Sequence, residues 1–355
     1  MKEFKLGKIK IGDNYPTYFI ADIAANHDGS LKRAIKLIKL AAKSGANAAK
    51  FQHFKADTIV SDIGFKKLGS KLSHQKTWKK SVFETYKDAS INLNWTAILK
   101  KECNKLGIEF FSTPYSFQLV DHINKYIKFF KIGSGDISWH DLILYIAKKR
   151  KPIIIATGAS SFKEVDSIIK KTKKINNKIV LMQCNTNYTA KDENFKFINL
   201  NILKKYKKKF PNLILGLSDH THGHETVLGA VALGARVIEK HFTDNNNRIG
   251  PDHAFSMNPS TWEEMVKRTR NLEKSLGDGI KKIEKNELQS SVVQRRSIRA
   301  KSFLKKGTKL TSKMFVFLRP CPKGSIHPYE TNKIIGKITK RKILKGDVIK
   351  WDYLK

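Results

Sequence analysis

From Tyr18 onward the chain repeats one rhythm: a short run of β-branched and aromatic residues, a longer stretch of helical period, then another run. The runs fall at residues 18–23, 48–51, 109–112, 129–132, 153–156, 179–183, 213–217 and 237–241. Between them, apolar residues recur at helical spacing in 31–42, 95–106, 162–169 and 200–206, with Asn94, Ser116 and Ser161 as N-cap candidates. Eight strands alternating with helices over roughly 260 residues predict a (β/α)8 TIM barrel. A doubly wound open sheet is the alternative, but no Gly-rich dinucleotide fingerprint follows the first strand. A hairpin over 2–11, turning at Gly7-Lys8, precedes the repeat. The stretch 56–93 interrupts it and is expected to form an elaborated loop on the catalytic face.

The rhythm ends with a helix over 259–276, closed by Gly277-Asp278-Gly279. The expected organisation is a catalytic barrel over 1–280, a charged linker over 281–294 and a small, mostly-β domain over 295–355. Short strands are expected in that tail at 297–300, 315–318 and 336–338. A domain of that size is near the lower limit for independent stability.

In a barrel the catalytic groups sit at the C-terminal ends of the strands. The clearest unit is 215–243, a strand, helix and strand in which His220 ends one strand and His241 the next. A right-handed βαβ unit opens both ends on one face. Two neutral imidazoles there can share a divalent metal, or can simply be polar residues satisfied at strand ends. The other ends supply Asp22, Asn26 and His27; Lys50 and Gln52; Ser112-Thr113-Pro114-Tyr115; Lys131 and Gly133-Ser134-Gly135-Asp136; Thr157-Gly158; Asn185, Thr186 and Tyr188; Ser218; and Glu239. Two lysines, several hydroxyls and Gly-flanked amides suit a phosphate or another oxyanion. Carboxylates and imidazoles suit acid–base work or a metal. Lys50 and Lys131 lie within apolar strands, where a lysine is rarely buried unpaired, so Asp22 and Glu239 are candidate partners. His222 and His224 extend the pattern beyond His220.

The formal net charge of +38 admits a nucleic acid, an anionic membrane surface or an anionic substrate as partner. The lysines are spread along the chain, without a basic tail, a helix-turn-helix pattern or an RNA-binding aromatic motif. The expectation is a solvated surface with some steering of an anionic ligand, no nucleic acid and no membrane. No apolar run is long enough to cross a bilayer, residues 1–16 lack a secretory core, and the three cysteines form no metal motif. A cytoplasmic location is expected.

Several motifs occur in order: Ile23-Ala-Ala-Asn-His-Asp-Gly, Ala49-Lys-Phe-Gln52, Phe111-Ser-Thr-Pro114, Phe130-Lys-Ile-Gly-Ser-Gly135, Gly216-Leu-Ser-Asp-His-Thr221, Glu239-Lys-His-Phe-Thr243 and Gly250-Pro-Asp-His253. With them the chain resembles the sialic acid (N-acetylneuraminate) synthase family, whose relatives make legionaminic and pseudaminic acids. The tail, through Leu318-Arg-Pro320 to Gly346-Asp347, resembles the antifreeze-like (SAF) domain that closes these enzymes.

The resemblance implies a transferase that condenses phosphoenolpyruvate with an N-acylated mannosamine-type sugar for cell-surface polysaccharide biosynthesis. N-acetylmannosamine comes first, with legionaminic or pseudaminic acid synthesis as alternatives. A Mn²⁺ or Mg²⁺ ion would polarise the sugar aldehyde, and phosphate would leave by C–O cleavage. By the same resemblance, His220 and His241 hold the metal, and Asp22, Asp136, Lys50 and Lys131 are catalytic. Lys50, Lys131, Thr113, Ser134, Thr186 and Ser218 contact phosphoenolpyruvate. Gln52, Tyr188 and Asp252 shape the sugar site, and Arg319 reaches a neighbouring barrel in a domain-swapped homodimer. The chain departs from the family pattern at Asp22 and Asp136, where Glu is usual, at Ala156, where Ser is common, and at Thr189, where Pro is usual. A Schiff-base aldolase using Lys50 or Lys131 is the rival enzyme. A basic nucleic-acid-binding protein and an ice-binding tail are further alternatives.

Overall fold

The computed structural model describes residues 3–189 and 191–355. They form two compact units, Met1–Gly277 and Asp278–Lys355. In the first unit, β1 (Glu3–Leu6) and β2 (Ile9–Gly12) make the expected antiparallel hairpin; Lys2 lies outside the described residues. Eight parallel strands follow: β3 (Tyr18–Asp22), β4 (Ala48–His53), β5 (Glu109–Pro114), β6 (Phe130–Ile132), β7 (Ile153–Ala156), β8 (Ile179–Cys184), β9 (Ile214–Asp219) and β10 (Ala235–His241). Their order is β5-β4-β3-β10-β9-β8-β7-β6, so the first and last strands of the repeat pair with each other. The backbone ladder is interrupted between β5 and the three-residue β6. There the rings of Phe111 and Phe129 meet instead, with centroids 4.4 Å apart. The strands are buried along nearly their whole length, as parallel strands covered on both faces should be.

The helices cover the outside: α1 (Leu31–Lys43), α2 (Ala56–Ile59), α3 (Asp62–Lys67), α4 (Val82–Ala89), α5 (Trp95–Lys105), α6 (Phe117–Asn124), α7 (His140–Lys148), α8 (Phe162–Lys173), α9 (Ile202–Lys209), α10 (Glu225–Ala232) and α11 (Pro259–Ser275). Ser116 and Ser161 cap α6 and α8 through their hydroxyls, the latter in a reciprocal capping box with Glu164. Asn94 does not cap α5: its backbone is already helical, and its N–H donates to Asn92 Oδ1 instead. The 56–93 insertion contributes α2, through Ile59, and α4, through Tyr86, to the mouth of the barrel.

The small unit pairs β11 (Ser297–Ala300) with β12 (Phe315–Leu318) over a core that includes Ile298, Ile326, Ile343 and Ile349. Residues 336–338 do not form the expected strand. Only Ile338 bridges, to Lys309, because short arms meet here at single points between turns. Residues read as linker include α12 (Leu288–Gln294), and its Val292 carbonyl accepts the Cys321 N–H at 2.8 Å.

Leu6 and Ile11 join the barrel core, so the hairpin closes over apolar surface that the strands alone leave open. Its turn depends on Gly7, which has φ +64° and would place a Cβ 2.1 Å from the Glu109 carboxyl. Glu109 cannot simply swing away without losing the Lys8 N–H that it accepts at 3.1 Å. Gly7→Ala should therefore lower stability in urea unfolding by about 1–3 kcal/mol. An unchanged midpoint would mean that the hairpin adjusts freely.

Candidate active site

Strand register assembles the site. On β3, Asp22 pairs with His241 of β10 on one side and Lys50 of β4 on the other. On β10, Glu239 pairs with Ser218 of β9. Alternate side chains share a face, so Glu239 and His241 both enter the barrel. The result is a chain of opposite charges across its floor. Lys50 Nζ lies 2.6 Å from Asp22 Oδ2 and 3.6 Å from Glu239 Oε1, and Lys131 Nζ lies 2.7 Å from that same oxygen. All four groups are buried.

The two carboxylates have different electrostatics. Burial raises the Asp22 carboxyl even beside Lys50. Burial also opposes ionisation of Glu239, but Lys131 and Lys50 outweigh it and hold that group down to about 2. The Lys50 ammonium loses solvation, yet Asp22 and Glu239 raise its pKa above the ordinary value. Asp136, one turn beyond β6, is pushed up by burial to about 6. Groups separated in this way can divide acid and base duties near neutral pH.

A cavity of about 350 Å³ opens above these groups, lined among others by Lys50, Gln52, Thr113, Lys131, Ser134 and Asp136. Asp22, Ser218, Tyr188, His220, Glu239 and His241 line it as well, whereas Asp252 lines an adjoining cavity with Gln52, Tyr188 and His241. Thr113 Oγ1 is buried without a hydrogen-bond partner, as is Glu239 Oε2. Ser134 Oγ accepts the Gly158 N–H at 2.9 Å. A Cβ on Gly158 would meet Thr186, Ser134 and Cys184 at 2.6–3.1 Å, so glycine lets these loops close up. Thr186 thus packs against Gly158 and is not part of the cavity lining. Thr157 cannot replace the hydroxyl missing at Ala156. Its Oγ1 donates to the Met182 carbonyl at 2.9 Å and accepts from Tyr206 OH at 3.1 Å.

The histidines form the wall. Their ring centroids are 5.4 Å apart, with the Tyr188 ring 4.3 Å from His220 and the Phe255 ring 4.9 Å from His241. His220 Nδ1 lies 2.8 Å from the Asn185 carbonyl; it therefore carries the proton and leaves Nε2 with a lone pair. Burial lowers His220 to about 3 and His241 to about 4, so both are neutral at pH 7. His241 Nδ1 is buried without a hydrogen-bond partner, 3.8 Å from Asp252 Oδ2. These are properties of metal-ready imidazoles. Among the described residues no set of three or more protein ligands is gathered, so a metal held here would complete its shell with water or substrate oxygen. His222 and His224 do not line the cavity.

Asp252 accepts the Ala25 N–H at 3.3 Å, which ties the loop after β10 to the loop after β3. Gln52 Nε2 donates to Asp22 Oδ2 at 3.3 Å. Arg319 belongs to the small unit, where it follows β12 and is exposed. Sequence reasoning gave Glu239 only a pairing role with the lysines and Tyr115 only a place among the strand ends, and it passed over Tyr86, Cys184 and Phe255. The aromatic density of 54–86 was the available signal for Tyr86, whose ring contacts Phe54 and Trp78.

An eight-stranded parallel barrel with paired lysines, carboxylates and imidazoles at its mouth defines a barrel enzyme rather than a binding scaffold. The chain belongs to the NeuB family, which it matches over residues 37–281, and it carries a SAF domain over residues 295–355. It is 34% identical to the N,N'-diacetyllegionaminic acid synthase of Legionella pneumophila, over 97% of this chain and 96% of that one. It is 30% identical to the human N-acetylneuraminate-9-phosphate synthase, over 92% and 89%. The crystal structure of N-acetylneuraminic acid synthetase from Leptospira borgpetersenii superposes with a TM-score of 0.70 at 29% identity, covering 81% of this chain and 94% of that one.

Outside the barrel wall, between the two histidine strands, lies a second buried pair. Lys240 Nζ is 2.5 Å from Asp219 Oδ2 and donates to the Thr221 carbonyl at 2.7 Å. Asp219 also accepts from the hydroxyls of Thr221 and Thr226. Burial opposes its charge, but Lys240 and these hydroxyls keep its pKa below the ordinary value. Each member neighbours a histidine in sequence, so the pair fixes both strand ends. Lys240→Met strands a buried carboxylate and should cost about 3–5 kcal/mol in chemical denaturation. Adding Asp219→Asn should recover much of that; no recovery would mean that packing, not charge, holds the corner.

Proposed function

We propose that the chain condenses phosphoenolpyruvate with an open-chain N-acylated mannosamine-type sugar to give a nonulosonic acid and phosphate. The methylene carbon of phosphoenolpyruvate bonds to the aldehyde carbon. Water adds at the neighbouring carbon, and the C–O bond to phosphate breaks. The observation that carries this reading is the alternating Lys–carboxylate floor beneath two neutral imidazoles.

Lys131 and Lys50, with Thr113, Ser134 and Ser218, would meet the carboxylate and phosphate of phosphoenolpyruvate. Thr186 would act from behind Gly158. Asp136 and Asp22 are the acid–base candidates. Gln52, Tyr188 and Asp252 border the space left for the sugar. His220 and His241 would hold Mn²⁺ or Mg²⁺, which when bound supplies Lewis acidity to a carbonyl oxygen. The exposed Arg319 fits the homodimer reading, in which it serves a partner chain's sugar.

A Schiff-base mechanism is less well supported. An amine nucleophile needs a lowered pKa, whereas that of Lys50 is raised by its carboxylate partners. Among sugars, N-acetylmannosamine was the first expectation. Two relatives at 34% and 36% identity are N,N'-diacetyllegionaminic acid synthases, which favours testing a doubly N-acetylated sugar beside it.

Phosphate release from phosphoenolpyruvate should depend on one of these sugars and stop in EDTA, with Mn²⁺ restoring it. His220→Ala and His241→Ala should remove turnover and leave the circular dichroism spectrum intact. Full turnover in excess chelator would overturn the metal assignment.

Asp136 gives a pH test. With its carboxyl at about 6 in the folded chain and about 3.9 unfolded, the folded state binds the proton more tightly. Stability attributable to this group therefore falls as pH rises through that window. Asp136→Asn should be more stable than the parent at pH 7 and lose that advantage below about pH 4. The acid limb of the parent's kcat/KM profile near pH 6 should disappear with the activity. A fully active Asn variant would remove Asp136 from the chemistry.

A further inference from the structure

The cations look evenly spread along the sequence, but the fold does not keep them so. In a barrel, the segment joining each helix to the next strand lies on the face opposite the catalytic mouth. Segments 124–129, 148–152, 173–178 and 207–213 precede β6, β7, β8 and β9, which are consecutive neighbours in the sheet. Together they hold twelve Lys and Arg and no Asp or Glu. The segments leaving the same strands on the cavity face, 133–139, 157–161, 185–201 and 220–224, hold two Lys and three Asp or Glu. Around these four strands the charge is therefore concentrated away from the cavity, where it does not steer substrate inward.

Nine of those twelve side chains are exposed. Lys149 pairs with Asp121 and Lys209 lies 3.8 Å from Asp166. Arg150 and Lys151 tie down backbone carbonyls. Among the described residues, Lys128, Lys148, Lys174, Lys178, Lys207 and Lys208 form no ion pair. Burial and the crowding of Lys128, Lys100 and Lys149 lower the Lys151 ammonium. One cation in a last turn answers the helix dipole; two to four per segment exceed that need.

We propose that this face docks the enzyme reversibly on a membrane surface rich in anionic lipid headgroups, with the cavity turned away from the bilayer. This reverses the expectation of a merely solvated surface. Eleven of the twelve are lysines, compact charges without the guanidinium fork that reads phosphates in fixed geometry. The segments present helix ends and loops, not a helix lying lengthwise for a groove. Their aromatics, Tyr126, Phe129 and Phe210, are buried or half-buried, so no base-stacking platform is offered. A lipid surface asks only for dense cations within a Debye length. No helix is long and apolar enough to cross a membrane, and these segments expose no large apolar side chain.

The test is sedimentation of the full chain with phosphatidylcholine vesicles, with or without about one-third phosphatidylglycerol, at roughly 0.1 M salt. Binding should require the anionic lipid. Changing Lys174, Lys178, Lys207 and Lys208 to Glu should weaken it at least about tenfold while leaving turnover intact. A control with the same charge change at Lys87, Lys163, Lys191 and Lys196 should keep most of it. Equal loss in both variants would overturn the proposal, as would parent protein that ignores anionic vesicles. Tight binding to duplex DNA without vesicle binding, abolished by the first variant, would make the partner a nucleic acid and overturn it as well.

Discussion

The floor of the barrel is stable only as a set. Lys50, Asp22, Glu239 and Lys131 are each buried, and each would be costly there alone, because a charge removed from water needs a partner and hydrogen bonds to compensate. The register of β3, β4 and β10 brings Asp22 beside Lys50, and Lys131 reaches Glu239 from β6 across the barrel, so all four groups stand on strands. Parallel strands with a period of two place the next residue on the opposite face. The same register therefore builds the second pair, Asp219 and Lys240, on the outer side of β9 and β10. The histidines lie beside both clusters, so their orientation is set from inside and outside the barrel wall.

This arrangement defines what an incoming anion must do. In the resting site the two lysines are already satisfied by carboxylates, at 2.6 and 2.7 Å. A phosphate or carboxylate would bind by sharing these ammonium groups, which have donors to spare, and not by occupying bare charges. The unpartnered Thr113 Oγ1 and Glu239 Oε2 mark where polar atoms still lack a match. Both edge the same cavity.

The sequence made the barrel legible because eight β-rich runs and their helices follow the periods that backbone geometry imposes. Strand ends were legible for the same reason, and so was the pairing of lysines inside apolar strands. The missed residues depend on contacts distant in sequence. Phe255 joins the histidine wall only because the loop after β10 folds back, and Tyr86 reaches the mouth only through the packing of α4 on Phe54. The failed cap at Asn94 is local too: Asn94 already has helical backbone angles, and the Thr96 N–H of the first turn donates to the Leu93 carbonyl. The placement of the lysines was also hidden. A linear reading sees them at intervals, whereas barrel topology collects every helix-to-strand segment on one face.

The two shortened carboxylates and Ala156 bear on one another through geometry. Asp22 already reaches Lys50 at 2.6 Å, Gln52 at 3.3 Å and His241 at 3.5 Å. A carboxylate one methylene longer could not keep these positions without displacing Lys50 or entering the cavity. Aspartate is thus matched to a floor drawn tightly together, and the space that a longer side chain would fill is left to solvent or substrate. Thr157 points its hydroxyl into the wall beside Ala156 and so adds none to the mouth. Where the resemblance expects Glu, Glu and Ser, the short side chains of Asp22, Asp136 and Ala156 would project less polar surface into the mouth above the paired charges. On the proposed reading, such a site would hold a small dianion over the paired lysines and leave a roomier space for the second substrate.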